Sequence, residues 1–283
     1  MKIFYYSKYL SETLSELRNQ GKSIGFVPTM GALHKGHLEL IKTAQQQCDI
    51  VVASVFVNPK QFNNKEDLAK YPSDNEKDAA LLEKTGCDFL YIPSVDDIYP
   101  STFEPVSLDL GPLATIFEGE YRPGHFDGVI QVVSRLFDIV KPHKAYFGLK
   151  DYQQCLVVKE LAKQSFQNIE IVFCPIFREK DGLAMSSRNV RLTKEGRQTA
   201  TEINKQMMKI ASSDFSLLPE QYEKLAIKAL EEKGFEVEYF KIADPNTMLV
   251  LKAWKPEEKH IILTAAYIDG VRLIDNMIFS VGN

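Results

Sequence analysis

The chain has 283 residues, of which 45% are hydrophobic and 25% charged, and its formal net charge is −4 at pH 7. This length and composition are typical of an ordinary globular protein with a large core and two domains. The negative charge argues against non-specific nucleic-acid binding, which depends on clustered positive charge. No stretch has the length of a membrane span, and the four cysteines form no CxxC pair of a zinc or thioredoxin-type site. We therefore expect a cytoplasmic protein that binds neither nucleic acid nor membranes.

Strands and helices alternate through the first part of the chain. Apolar runs rich in β-forming residues predict strands, and apolar residues that recur every three or four positions predict helices. The predicted strands are residues 23–27, 49–57, 89–93, 145–148 and 169–173, and the predicted helices are residues 11–19, 38–47, 74–84, 126–140 and 152–164. This alternation predicts an α/β fold with right-handed βαβ units and a doubly wound, Rossmann-like parallel sheet.

The pattern changes near residue 176. Helical patterns over residues 193–211 and 219–233 are followed by short strands at 235–242, 260–267 and 271–274, with Asp269-Gly270 as the hairpin turn between the last two. We therefore predict a Rossmann-like domain at residues 1–176 and a smaller α+β domain at residues 177–283.

His34 and His37 lie one helical turn apart, where the strand at 23–27 leads into the next helix. The carboxyl end of a parallel strand is where open α/β folds bind ligands, and backbone N–H groups at a helix start attract phosphate. Gly31 and Gly36 let a ligand approach the main chain closely. The pair therefore favours chemistry on a phosphate. Loop histidines that only solvate or cap the helix are one alternative, and metal ligation is another, weakened because no third ligand lies nearby.

Charged residues follow a second predicted strand. Lys150 and Asp151 come directly after residues 145–148, where a lysine suits a phosphate and an acid suits ribose hydroxyls. An exposed charged turn is the alternative. Glu76 and Asp78, on a predicted helix, are candidates for contact with a magnesium ion, with a solvent-facing position as the alternative.

Two glutamines lie near strand ends, Gln61 after an Asn-Pro turn and Gln154 on the helix after Lys150. Their amides suit a small hydroxylated acid, although a surface position is the common alternative. Arg122 and His125 are further candidates for the cleft rim, or for a helix cap. The polar segment 185–188 offers two hydroxyls and a guanidinium that can hold a polyphosphate in a mobile loop, or is a solvated linker.

Five blocks of the chain together resemble the pantothenate synthetase (pantoate–β-alanine ligase) family, a branch of the nucleotidyltransferases with the His-x-Gly-His loop. The blocks are residues 28–37, 56–62, 122–126, 150–154 and 181–189, in this order. Leu149 is a departure, because many relatives carry glutamate there, and its side chain is therefore no candidate for catalysis. Beyond residue 189 the resemblance is less sharp.

The resemblance implies ATP-dependent condensation of (R)-pantoate with β-alanine through a pantoyl-adenylate, with Mg²⁺, in a homodimer. It also implies that residues 1–176 are the catalytic domain that binds ATP and pantoate, and that residues 177–283 are a lid domain. It implies that His37, His34 and Lys150 are catalytic, and that Gln61 and Gln154 bind pantoate and β-alanine. The implied ATP-binding residues are Met30, Gly31, Ala32, Leu33, His34, Lys35, Gly36, His37, Gly148, Leu149, Lys150, Asp151, Met185, Ser186, Ser187 and Arg188. The metal ligands are not identified, and His37 acts either as a proton donor or purely through electrostatics.

Two other functions compete with this one. A nucleotidyltransferase for a phosphorylated metabolite needs further cations for the acceptor phosphate, whereas two glutamines suit an uncharged polyol. A non-catalytic nucleotide sensor needs the phosphate cradle but neither both histidines nor the Lys150–Asp151 pair. Neither alternative accounts for all five blocks.

Overall fold

The structure is a computed structural model that describes residues 1–281. The chain forms two compact units, Met1–Ile176 and Phe177–Asn283. Among the helices of the described residues, none combines the length and the apolar character needed to cross a membrane.

The first unit is built on a sheet of six parallel strands. In chain order these are β1 (Lys2–Phe4), β2 (Ile24–Thr29), β3 (Ile50–Val55), β4 (Phe89–Tyr91), β5 (Lys144–Gly148) and β6 (Glu170–Cys174). Their order across the sheet is β1-β4-β3-β2-β5-β6. The central strands β2 and β3 are buried over most of their length, as continuous apolar runs require when helices cover both faces of a sheet.

Helices cover both faces of this sheet. The helices of the first unit are α1 (Ser7–Asn19), α2 (Lys35–Gln45), α3 (Lys65–Ala69), α4 (Asn75–Thr85), α5 (Val95–Ile98), α6 (Glu118–Tyr121), α7 (His125–Val140) and α8 (Tyr152–Ser165). Apolar side chains of α1, α7 and α8 form one core cluster with the sheet, and those of α2 and α4 form another. The predicted doubly wound α/β fold is confirmed.

The second unit is a smaller α+β structure, as predicted. It contains α9 (Lys194–Thr199), α10 (Glu202–Ala211), α11 (Pro219–Glu231) and the strands β7 (Glu236–Ala243), β8 (Lys259–Ile268) and β9 (Val271–Ser280). The strands form an antiparallel sheet in the order β7-β8-β9. Its core joins side chains of α10 and α11 to one face of this sheet.

Two elements of the second unit differ from the prediction. The helix predicted over 193–211 is interrupted between α9 and α10, where the backbone N–H and the hydroxyl of Thr201 both donate to the Gln198 carbonyl in a tighter turn. The last strand continues to Ser280 instead of ending at 274. Asp275 on this strand is buried in a bidentate pair with Arg178, at 2.6 and 2.9 Å. The strand continues through this charged residue, which interrupts the apolar pattern, because the carboxylate is paired.

Candidate active site

The predicted ATP-binding residues of the first unit follow two neighbouring strands. β2 pairs with β3 on one side and with β5 on the other. The chain leaves β2 towards β3 and later returns to the opposite side of β2 through β5, so the gap between β2 and β5 is the topological switch point of the sheet. Ligands of doubly wound folds bind outside the carboxyl ends of the strands at this point. The His loop (residues 30–37) and residues 149–151 both begin there.

His34 and His37 form a stacked pair at the start of α2. The backbone N–H of His34 donates to Nδ1 of His37 over 3.3 Å. The two rings stack with their centroids 4.0 Å apart and their planes inclined by 28°. Because Nδ1 of His37 accepts a hydrogen bond, the neutral ring carries its proton on Nε2, which is therefore a hydrogen-bond donor.

Both histidines are neutral at pH 7. Burial, with a smaller contribution from the Lys150 ammonium, lowers the pKa of His34 to about 4. Burial also lowers the pKa of His37 well below its usual value, with smaller contributions from His34 and Lys150. Nδ1 of His34 is buried and has no hydrogen-bond partner within residues 1–281. The pair therefore holds an unsatisfied polar atom of the kind that a ligand or an ordered water satisfies.

Lys150 supplies the positive charge of the site. It lies with Asp151 in a single 3-10 turn, Leu149–Asp151, between β5 and α8. Its side chain is only 18% exposed, and its Nζ is 3.7 Å from the Asp151 carboxylate, which is 47% exposed. A largely buried ammonium beside two neutral imidazoles suits a phosphate, and an accessible carboxylate suits sugar hydroxyls.

Gln61 lies beside the His loop, in the turn that follows β3. Its Nε2 is 2.9 Å from the sulfur of Met30, and its Oε1 accepts from Nδ2 of Asn58 at 3.1 Å. Asn58 also donates to the Gly128 carbonyl on α7 at 3.0 Å. Asn58 is buried and holds Gln61 in place, whereas the sequence indicated only that it is part of a turn. The Asn-Pro turn next to Gln61 was the signal available.

Arg122 and His125 support Gln61 through its backbone. Nδ1 of His125 donates to the Gln61 carbonyl at 2.9 Å, and the Arg122 guanidinium contacts Nε2 of the same ring at 3.1 Å. Arg122 also pairs with the Glu118 carboxylate at 3.4 Å. Burial lowers the pKa of His125 to about 3, and the Arg122 charge contributes. The predicted rim position is wrong for His125, which is buried and links α7 to the Gln61 turn.

His125 gives the protein a measurable dependence of stability on pH. Its folded-state pKa of about 3 lies below its ordinary value, so between these two values the unfolded chain binds more protons and acid destabilises the fold. We expect the His125→Asn variant, whose amide can still donate to Gln61, to lose about 2 kcal/mol less of its unfolding free energy between pH 7 and pH 5 than the natural chain. Urea unfolding at the two pH values measures this. Equal losses in both chains would show that His125 titrates normally.

Asp78 is buried beneath the His loop. Its two carboxylate oxygens accept the backbone N–H groups of Ala32 and Leu33 at 2.8 and 2.7 Å. The predicted solvent-facing alternative is therefore wrong for Asp78, which is 1% exposed, whereas Glu76 is exposed. Over residues 1–281 no group of three or more His, Cys, Asp or Glu side chains is placed to hold a metal ion. The N–H groups of Ala32 and Leu33 are thus already engaged by the Asp78 carboxylate.

The two adjacent glutamines of α8 differ in their surroundings. Gln153 is buried, donates to the Leu113 and Ile116 carbonyls at 2.8 Å each, and accepts from the Glu118 N–H at 3.1 Å. The predicted ligand Gln154 is only partly buried, and its amide makes no hydrogen bond with any described residue. The sequence does not predict this structural role, because nothing in it distinguishes Gln153 from its neighbour Gln154.

The predicted phosphate-binding segment 185–188 belongs to the second unit. The Met185 N–H donates to the Phe177 carbonyl at 3.0 Å, and Arg178 and Ala184 form an antiparallel bridge. The Ser186 hydroxyl accepts from the Arg188 N–H at 3.2 Å, at the start of a 3-10 helix over Ser187–Arg191. The segment thus has defined local structure.

The parallel sheet, its switch point and the stacked His-x-Gly-His pair beside a largely buried lysine are the features of a ligand-binding site in the class of doubly wound α/β proteins.

Comparison with known proteins narrows this class to one family. The sequence model described as pantoate-beta-alanine ligase matches residues 2–278, and the chain belongs to this family. The pantothenate synthetase of Bacteroides thetaiotaomicron is 44% identical over 278 residues, which cover 98% of both chains.

Solved structures agree with this membership. A pantothenate synthetase structure from Thermus thermophilus superposes with a TM-score of 0.90 at 39% identity, covering 98% of this chain and 99% of the other. A pantoate-beta-alanine ligase from Francisella tularensis, complexed with beta-gamma ATP and beta-alanine, gives a TM-score of 0.83 at 38% identity and covers 98% and 97% of the two chains.

Proposed function

We propose that this ligase activates (R)-pantoate at the switch point between β2 and β5 and then transfers the pantoyl group to β-alanine. In the first step a carboxylate oxygen bonds to the α-phosphorus of ATP, the bond from that phosphorus to the bridging oxygen breaks, and pyrophosphate leaves. In the second step the β-alanine amine bonds to the acyl carbon, the carbon–oxygen bond to the phosphate breaks, and the products are pantothenate and AMP. The observation that carries the proposal is the stacked pair of His34 and His37 beside Lys150.

The histidines act in this scheme as neutral hydrogen-bond donors. Their lowered pKa values leave them uncharged at pH 7, and Nε2 of His37 carries a proton. Such a donor stabilises negative charge on phosphoryl oxygens without a proton transfer, and Lys150 adds the positive charge. Of the two roles left open for His37, this supports the electrostatic one.

Gln61 and Gln154 are proposed to orient pantoate. Nε2 of Gln61 points to the Met30 sulfur, a weak acceptor that a substrate hydroxyl or carboxylate can replace at little cost. The Gln154 amide makes no hydrogen bond within the described part of the chain, so it has donors and an acceptor to offer. Asp151 is proposed to accept from the ribose hydroxyls of ATP.

Replacing Gln154 with leucine is expected to raise the KM for pantoate about 10-fold or more, because a lost hydrogen bond leaves a substrate polar group unpaired. The KM for ATP is expected to stay within about twofold. Steady-state kinetics with each substrate varied in turn measures both constants. Gln164→Leu, on the exposed end of the same helix, is the matched control. Equal KM values for pantoate in the two variants would remove Gln154 from the site.

Several further assignments are proposals that rest on the resemblance. Ser186, Ser187 and Arg188 are proposed to bind the β- and γ-phosphates, and the chain is proposed to form a cytoplasmic homodimer. Mg²⁺ is proposed to enter with the ATP phosphates, since magnesium is usually held by substrate phosphates and a few carboxylates. When bound, it would neutralise charge on the departing pyrophosphate.

The proposed function is tested by following pyrophosphate, AMP and pantothenate from ATP and (R)-pantoate, with and without β-alanine. We expect multiple turnovers only when (R)-pantoate and β-alanine are both present. Pyrophosphate release at the same rate with and without pantoate would still indicate a nucleotidyltransferase, but it would rule out pantoate as the substrate. ATP binding without any release would instead indicate a nucleotide sensor.

A further inference from the structure

The His loop begins in an unusual backbone conformation. Gly31 and Ala32 both have positive φ, at 81° and 50°. A left-handed conformation costs a residue with a side chain about 1–2 kcal/mol, so Ala32 keeps it only where neighbouring groups hold it in place. A Cβ on Gly31 would lie 2.9 Å from Oδ2 of Asp78 and from a methyl of Val55. The loop thus turns tightly around the Asp78 carboxylate.

We propose that Asp78 is a positioning residue for the reaction, which orients the His34–His37 pair through the loop backbone. Its two oxygens accept from two successive N–H groups, those of Ala32 and Leu33. The second of these residues directly precedes His34, whose own N–H sets the hydrogen-bonded nitrogen of His37. One side chain of α4 therefore holds the two peptide groups that precede His34. His34 in turn positions the His37 ring through its own N–H.

A carboxylate is a costly choice for this position unless the contacts are needed. Asp78 is a buried anion at a site that we propose binds a polyanion. Burial raises the pKa of its carboxyl group, and the two N–H groups oppose this shift because they favour the charged form. An asparagine has one side-chain oxygen where the carboxylate has two, so in the same orientation its NH₂ would face one of the two N–H groups. The Asp78 carboxylate therefore weakens the electrostatic attraction of the site for a polyanion. Its favourable effect is to fix the loop backbone through two hydrogen bonds.

The test compares Asp78→Asn and Asp78→Ala with Glu83→Gln, an exposed acid on the same helix. We expect Asp78→Asn to lower kcat for pantoate-dependent pyrophosphate release about 10- to 100-fold, as expected for a misplaced catalytic group, with each KM within about threefold. Nitrogen chemical shifts of the His37 ring should change from a single Nε2–H tautomer in the natural chain to a mixture. A natural kcat with an unchanged tautomer in folded Asp78→Asn would overturn the proposal, as would a change confined to KM.

Should both Asp78 variants fail to fold, hydrogen exchange in the natural chain decides the matter. The amides of Ala32 and Leu33 should exchange as slowly as those of β2, and exchange at the rate of an exposed loop would overturn the proposal. This inference rests on the proposed role of the histidines, but the two fail differently. If His37→Ala keeps its activity, the proposed function fails. If His37→Ala is inactive and Asp78→Asn is not, only the role of Asp78 fails.

Discussion

Replacing His37 with alanine or asparagine is expected to lower kcat for pantoate-dependent pyrophosphate release by about 10²–10³-fold, the effect of removing one preorganised donor from developing negative charge. The reason is the loss of Nε2–H, the donor that the hydrogen bond at Nδ1 leaves available. Asparagine is the sharper change, because its side-chain oxygen can still accept the His34 N–H at the start of α2. Single-turnover kinetics of the first step measures the loss.

His37→Gln supplies the matched comparison. Its longer amide places an N–H near the position of Nε2, so it should retain more activity than His37→Asn. Thermal unfolding should show that all three variants are folded. A folded His37→Asn variant with a nearly natural rate would refute the role assigned to this imidazole.

Replacing Lys150 with methionine is expected to lower kcat/KM for ATP by about 10²–10³-fold, because a charge-assisted contact to phosphate is lost from a partly buried site. The substitution keeps the length of the apolar stem, so packing changes little. It has a second expected consequence. Since the Lys150 ammonium lowers the pKa of His34, that pKa should rise in the variant, which an NMR titration of the ring measures.

Lys144→Met is the control for this experiment. Lys144 lies at the other end of the same strand, where its Nζ is 3.2 Å from Glu170. It should leave both the kinetics and the titration of His34 unchanged. Equal activity of the two methionine variants would place the phosphates away from Lys150.

The first unit was predictable from the sequence because its signals are local. Continuous apolar runs such as residues 50–55 indicate strands covered on both faces, and their alternation with amphipathic helices determines the fold class. Features that depend on distant partners were missed. The first helix begins at Ser7 instead of residue 11, because Asp97, far along the chain, accepts both the Ser7 N–H and its hydroxyl. Strand β1 has only three residues, too few for a pattern.

The residues of the site divide in the same way. His34, His37 and Lys150 follow strand ends, so topology alone places them near one another. Asp78, by contrast, looks like any acid on an exposed helix, and only the packing of α4 beneath the His loop reveals its two hydrogen bonds. The lowered pKa values of the histidines were equally hidden, since burial is a property of the folded chain.

The proposed attack of the pantoate carboxylate on the α-phosphorus of ATP can be tested with an oxygen label. Pantoate carrying ¹⁸O in both carboxylate oxygens is turned over with ATP and β-alanine, and the AMP is analysed by mass spectrometry. We expect one ¹⁸O in each AMP, because the acyl carbon–oxygen bond breaks in the second step. Unlabelled AMP, or ADP together with labelled inorganic phosphate, would rule out a pantoyl-adenylate.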